Sequence, residues 1–284
     1  MLRKIRLIAA TLCFVLITLL FLDFTGTLHG WFGWLAKIQF LPAVLALNVG
    51  VVLFLVLLTL AFGRVYCSVI CPLGVFQDVI ARIGRRGKKL PYSYSPALSW
   101  LRYGVLFVFV LALVAGVGSL VALLAPYSAY GRIANNLFQP LWMWGNNLFA
   151  YLAARVESYA FYEVDVWMKS LPTFLVALAT LVVLVVLAWR NGRTYCNTIC
   201  PVGTVLGFIS RYSLYRVTID TDKCNSCGLC ARQCKAACID SKEHKIDGSR
   251  CVACMNCLDT CRKNALTYAP VWKTKKQATG TEKP

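Results

Sequence analysis

Cys224-Asn-Ser-Cys227-Gly-Leu-Cys230-Ala-Arg-Gln-Cys234 and Cys251-Val-Ala-Cys254-Met-Asn-Cys257-Leu-Asp-Thr-Cys261 carry one spacing twice. In each run three thiols recur at every third position, and a fourth follows beyond a gap of three residues. Thiolates at this spacing hold cubane [4Fe-4S] clusters, three ligands coming from one run and the fourth from the other. The runs therefore assign Cys224, Cys227, Cys230 and Cys261 to one cluster, and Cys251, Cys254, Cys257 and Cys234 to a second. The competing readings are a pair of zinc knots or a disulfide scaffold. Zinc sites draw on two separated Cys pairs rather than three close thiols plus one, which favours the clusters. Lys235 and Arg262 stand where the usual pattern has proline, and Cys238 is a spare thiol outside both sets.

The rest of the chain is unlike a soluble carrier of such clusters. Of 284 residues, 58% are hydrophobic and 15% charged, a composition that belongs to a membrane protein. Cluster ligands need a reducing compartment, so the 14 cysteines are not read as disulfides and the C-terminal lobe is expected in the cytoplasm. Four apolar stretches are long enough to span: about Ile5 to Phe24, Leu41 to Phe62, Leu101 to Ala125 and Leu171 to Trp189. The first is read as an uncleaved anchor, because its apolar run exceeds a signal h-region and no Ala-x-Ala site follows.

With both termini inside, only Lys37, Arg132, Arg155 and Lys169 of the 30 Lys/Arg lie outside. The net charge of +18 then follows the positive-inside rule, and nucleic acid is not a partner. The fold expected is an α-helical membrane protein with four transmembrane helices and a small α+β two-cluster ferredoxin-like C-terminal domain. Residues 1–212 form the membrane domain, 213–270 the ferredoxin-like domain and 271–284 a disordered tail. Residues 126–170, rich in Tyr and Trp, are read as an interfacial segment on the outer side.

A second duplication lies at the cytoplasmic ends of spans two and four. Gly63-Arg-Val-Tyr-Cys-Ser-Val-Ile-Cys-Pro-Leu-Gly74 matches Gly192-Arg-Thr-Tyr-Cys-Asn-Thr-Ile-Cys-Pro-Val-Gly203 at eight of twelve positions. The i,i+4 pairs Cys67/Cys71 and Cys196/Cys200 each put two thiols on one helix face. If the copies face each other the four thiols converge, as an iron-sulfur centre requires. A zinc staple, acylated thiols or four small apolar side chains are the alternatives. Arg64 and Arg193 either neutralise anionic sulfur or snorkel to headgroups.

Two GRxYCxxICPxG motifs after spans, followed by CxxCxxCxxxC twice, resemble the membrane iron-sulfur proteins of the NapH and NosR type over essentially the whole chain. The large extracytoplasmic flavin-bearing domain of the nitrous oxide type has no counterpart here. The resemblance implies a quinol-oxidising electron-transfer subunit in a bacterial cytoplasmic (inner) membrane. Its partners would be membrane lipid, quinone and a redox protein or further subunits. His29, Asp23 and the segment from Tyr127 to Trp144 are candidates for quinol contact at the outer interface. The second function class is an assembly or maturation factor, or a redox sensor, for a metalloenzyme. No phosphate loop, flavin fingerprint or zinc-protease motif points to catalysis of another kind.

Overall fold

The computed structural model describes residues 2–23, 25–87, 92–155, 162–166 and 170–272. A helical lobe is followed by a small lobe of short strands and loops. The helical lobe runs α1 (Leu2–Leu22), α2 (Thr27–Phe32), α3 (Trp34–Lys37), α4 (Phe40–Leu45), α5 (Val49–Phe62), α6 (Val65–Val69) and α7 (Pro72–Gly87). It continues with α8 (Ser99–Val114), α9 (Gly118–Leu124), α10 (Pro126–Ile133), a π-helical turn Ala134–Phe138, α11 (Gln139–Ala154), α12 (Leu171–Asn191), α13 (Thr194–Thr198) and α14 (Pro201–Ser210). Proline opens α7, α10 and α14, where its missing N–H costs nothing.

Two of the four expected spans are continuous helices. Among the described residues α1 and α12, each of 21 residues, are long and apolar enough to cross a membrane. The other two expected spans are broken, which corrects the reading of uninterrupted helices over 41–62 and 101–125. The cause is a pair of helix stops hidden within apolar sequence. After α4, Leu47 takes φ 52°. The Asn48 amide donates back to the Ala43 carbonyl at 2.9 Å, and that of Leu47 to Val44 at 3.1 Å. After α8, Gly116 takes φ 72° while the Val117 amide donates to Ala112 at 2.9 Å and that of Gly116 to Leu113 at 3.3 Å. Both are Schellman closures around a left-handed residue. Asn48 then caps α5 by accepting from the Val51 amide at 3.3 Å. The helices that result, α5 with 14 residues and α8 with 16, measure about 21 and 24 Å, short of a hydrocarbon core. α4 packs on α5, and α9 on α8.

Residues 126–133 do not lie on an outer surface. Pro126, Ala129, Tyr130 and Ile133 are buried where α10 packs on α7 and α12. The Tyr130 ring lies 5.6 Å from Phe14 and 5.9 Å from Phe76, and its hydroxyl shares a 2.6 Å hydrogen bond with Thr18. These tyrosines are spent on core packing, because rings with one polar tip bury well when the tip finds a partner. Trp142 and Trp144 on α11 remain exposed.

The small lobe contains β1 (Tyr215–Ile219), α15 (Leu229–Arg232), β2 (Ile239–Asp240), β3 (Lys245–Ile246), α16 (Asn256–Thr260) and β4 (Leu266–Pro270). β1 pairs antiparallel with β4, from Tyr215 opposite Pro270 to Ile219 opposite Leu266, and β2 pairs with β3. Of residues 271–284, expected as a disordered tail, the first two are placed, the Val271 amide donating to the Leu214 carbonyl at 3.0 Å, and 273–284 lie outside the described residues.

Candidate metal centres

The two cysteine runs of the small lobe share an unusual backbone. Ser226 (φ 53°) and Gly228 (φ 71°) in the first run match Ala253 (φ 48°) and Met255 (φ 60°) in the second. Beyond the runs, Ala237 (φ 49°) matches Asn264 (φ 50°). A left-handed conformation on a residue with a Cβ costs about 1–2 kcal/mol, so its repetition at equivalent places means the loops are held open for something they wrap. Cys224, Cys227, Cys230 and Cys261 line one cavity of about 230 Å³. Cys234, Cys251, Cys254 and Cys257 line another, with Cys238 in its wall. The fourth cysteine of each run thus stands with the three of the other. Soft thiol donors in fours, on loops with their amides turned inward, fit [4Fe-4S] clusters. The Ala265 amide donates to Cys261 Sγ at 3.3 Å. Cys238, fully buried, lies 3.5 Å from Cys234 through its sulfur. Cys227 is exposed, whereas Cys234 and Cys257 are buried and Cys251 and Cys254 half-buried.

The GRxYC copies interlock. Gly63 (φ 73°) and Gly192 (φ 70°) turn the chain out of α5 and α12, and each following arginine reaches into the opposite copy. Arg64 Nη2 donates to the Cys196 carbonyl at 3.1 Å and Nη1 to Asn197 Oδ1 at 2.7 Å. Arg193 Nη1 donates to the Cys67 carbonyl at 2.5 Å. The last glycine of each motif completes the exchange. A Cβ on Gly74 would stand 2.2 Å from the Cys67 oxygen and 2.8 Å from Arg193 Nη1; one on Gly203 would stand 2.2 Å from the Cys196 oxygen and 2.9 Å from Arg64 Nη2. Both arginines are 0% exposed, so neither snorkels to a headgroup.

This interlock brings Cys67, Cys71, Cys196 and Cys200 together in the main core, all buried. Burial first, then the sulfurs of Cys196 and its neighbours, pushes the Cys71 and Cys200 thiols up. A bound cationic centre would offset that cost for the thiolates of Cys71 and Cys200. Among the described residues no group of three or more His, Cys, Asp or Glu side chains surrounds a single-ion position. Gln77 Nε2 donates to Cys196 Sγ at 3.2 Å, and the Gly203 amide donates to Cys200 Sγ at 3.3 Å.

Asp78 was not singled out from the sequence, though it is the one acid among the basic residues 63–102. Its carboxylate meets Arg193 Nε at 2.8 Å, Arg6 Nη2 at 2.9 Å and Lys235 Nζ at 3.1 Å, tying α1, both repeat copies and the small lobe together. Burial alone would raise its carboxyl; Arg193, Lys235 and Arg6 hold it well below the usual carboxylate range. Lys235, in the place of the usual proline, also accepts the Arg193 amide on its carbonyl at 2.9 Å. Asp23 and His29 meet at 3.5 Å. Asp23 mainly caps its own turn, accepting from the amides of Thr25, Gly26 and His29.

The family described as a 4Fe-4S binding domain matches residues 44–91 and 173–218, one match over each GRxYC copy. Uncharacterized protein MJ0749 of Methanocaldococcus jannaschii is 25% identical over 96% of this chain and 89% of its own length. Ferredoxin-type protein NapH of Escherichia coli is 27% identical over 82% of this chain and 71% of its own. Regulatory protein NosR of Stutzerimonas stutzeri is 25% identical over 70% of this chain, which covers 23% of that protein. No solved structure matches the chain.

Proposed function

We propose that this chain, an iron-sulfur electron-transport protein of the NapH/NosR type, passes electrons between the quinone pool and a redox partner protein at the inner face of a bacterial cytoplasmic membrane. Its clusters, when bound, supply one-electron transfer. Cys224, Cys227, Cys230 and Cys261 hold one, Cys251, Cys254, Cys257 and Cys234 the second, and Cys67, Cys71, Cys196 and Cys200 a third. The observation that carries this reading is the interlock of Arg64 and Arg193 with the opposite copy, which gathers four buried thiols beside the small lobe. The third set lies one hydrogen bond from the second: the Arg193 amide, three residues before Cys196, binds the carbonyl of Lys235, next to Cys234.

α1 and α12 anchor the chain, the broken pairs α4–α5 and α8–α9 complete a four-span set, and both termini lie in the cytoplasm. The Arg3–Asp259 contact at 3.0 Å, which joins the N-terminus to the small lobe, supports one side for both. The quinol link rests on the family resemblance. Purified chain titrated with quinol and followed by EPR should show cluster reduction, and iron well above the roughly eight atoms that two cubanes hold. Clusters that quinol never reduces would refute the quinone link; eight irons would refute the third centre. An assembly or sensing role draws support from likeness to a relative named as regulatory, and predicts an effect on metal delivery with no quinol reaction.

A further inference from the structure

Three arginines are buried where the repeat copies meet the small lobe, and their charges are not met alike. Arg193 has Asp78. The residue equivalent to Asp78 in the second copy is Gly207, where a Cβ would stand 2.0 Å from Arg102 Nη2. The Arg102 guanidinium fills the room left by the missing side chain, so a cation sits where the first copy has an anion. Among the described residues no carboxylate pairs with Arg64 or Arg102, and both are buried. Their direct partners are neutral: Arg64 donates to Asn197 Oδ1 and the Ser249 and Cys196 carbonyls, Arg102 to Ser249 Oγ and the Ser249, Gly203 and Thr204 carbonyls. Among the described residues only Arg102 has a carboxylate one step away, since Ser249 Oγ donates to Asp247 Oδ1 at 2.7 Å. The Nε of each has no partner. Buried guanidinium charge persists only where an anion compensates it.

The compensating anions are set out on either side. Arg64 Nη2 lies 3.9 Å from Cys67 Sγ, and its Nη1 lies 3.1 Å from the carbonyl of Ser249, two residues before Cys251. We infer that Arg64 and Arg102 take as counterion the negative charge of two thiolate-bound centres, one at the four repeat cysteines and one at the Cys234, Cys251, Cys254 and Cys257 set, and that Arg64 is the positioning residue for electron hand-over between them. The inference rests on the reading of the repeat thiols as an iron-sulfur centre. One electron moves from centre to centre, oxidising the first by one and reducing the second by one, with no bond made or broken. A fixed positive charge between them favours the reduced, more negative state of each and holds their potentials within reach of one another. Asp78, paired with the Arg193 that binds the Cys67 carbonyl, works in the other direction.

The test is an EPR-monitored redox titration of the full chain in detergent, with iron and sulfide content measured first. Arg64→Gln should lower the midpoint of both the repeat centre and the Cys251 set by at least tenfold in the reduction equilibrium, 59 mV for one electron. Arg64→Lys should restore most of the shift. Arg102→Gln should lower chiefly the Cys251 set, and Asp78→Asn should raise the repeat centre. The Cys224 set, which none of these arginines contacts among the described residues, should not move. Opposite signs for the arginine and aspartate variants exclude general loosening of the fold. If Arg64→Gln loses its clusters, Arg102→Gln carries the sign test. Unchanged midpoints with intact signals would overturn the inference. A chain with no repeat-centre signal would overturn both it and the reading beneath, and the iron content tells the two failures apart.

Discussion

Two duplicated thiol sets occur in this chain, and they are assembled by opposite means. In the small lobe the ligands lie on two contiguous loops whose shape comes from left-handed residues at equivalent positions, and side chains do little beyond presenting sulfur. In the helical lobe Cys67 and Cys196 sit on one-turn helices while Cys71 and Cys200 lie just beyond them at the starts of α7 and α14, and convergence depends on two buried arginines and two glycines that let the copies touch. Local geometry builds the first site. Long-range polar contacts build the second, so the second should be the easier to break without touching a cysteine.

The largest effect expected separates the two cubane sets. Cys224→Ser and Cys261→Ser should abolish the same EPR signal, while Cys257→Ser and Cys234→Ser abolish the other; loss of the Cys257 signal in Cys261→Ser would refute the crossed ligation. Next comes the carboxylate that joins the lobes. Asp78→Asn leaves three buried cations short of a partner and should cost about 3–5 kcal/mol in thermal or denaturant unfolding. The pH dependence has a definite sign. Because the folded carboxyl is held below its ordinary value, the stability it contributes is fully present above about pH 4 and is lost as pH falls through the lower folded value. Asp78→Asn should therefore flatten the acid limb of the stability profile.

Glycines sharpen the contrast between the sites. Gly74→Ala or Gly203→Ala forces a methyl against a carbonyl and a guanidinium, and should cost roughly 3 kcal/mol and empty the four-thiol site while both small-lobe signals persist. Gly228→Ala meets no close neighbour, and its equivalent Met255 already carries a side chain at φ 60°. It should cost about 1 kcal/mol and leave every cluster in place. The smallest effect is expected at the exposed Arg3–Asp259 pair, where Asp259→Asn should move the melting midpoint by no more than about 2–4 °C, since such pairs contribute about 0–1 kcal/mol.

What could be read in advance follows the same division. The eight cysteines of the small lobe and the strands around them follow from spacing, because ligands close in sequence need only a turn to become close in space. The duplicated GRxYC motif was equally visible, but its thiol pairs do not share a helix face as i,i+4 spacing suggested, because α6 and α13 end before Cys71 and Cys200. Several features escaped the sequence because they come from tertiary contacts or weak local signals. Hydropathy averaged over a window passed across Leu47 and Gly116, single left-handed residues that end α4 and α8. Aromatic content assigned Tyr130 to an interface, when a hydroxyl on Thr18 lets it be buried. Arg64 and Arg193 were candidates for headgroup contact until the opposite copy was seen to supply their acceptors.

By itself, then, the sequence determined which residues are chemical: eight thiols in two runs, four more in a repeat, and an apolar body around them. Tertiary structure alone decided which charges and polar groups stand beside those thiols. Asp78 gained three cations and Gly207 surrendered its place to Arg102 through contacts between segments more than a hundred residues apart in several cases. The physical reason is that a thiol's donor chemistry is intrinsic to the residue. The charge that tunes it depends on what burial removes from water and what the fold then sets beside it.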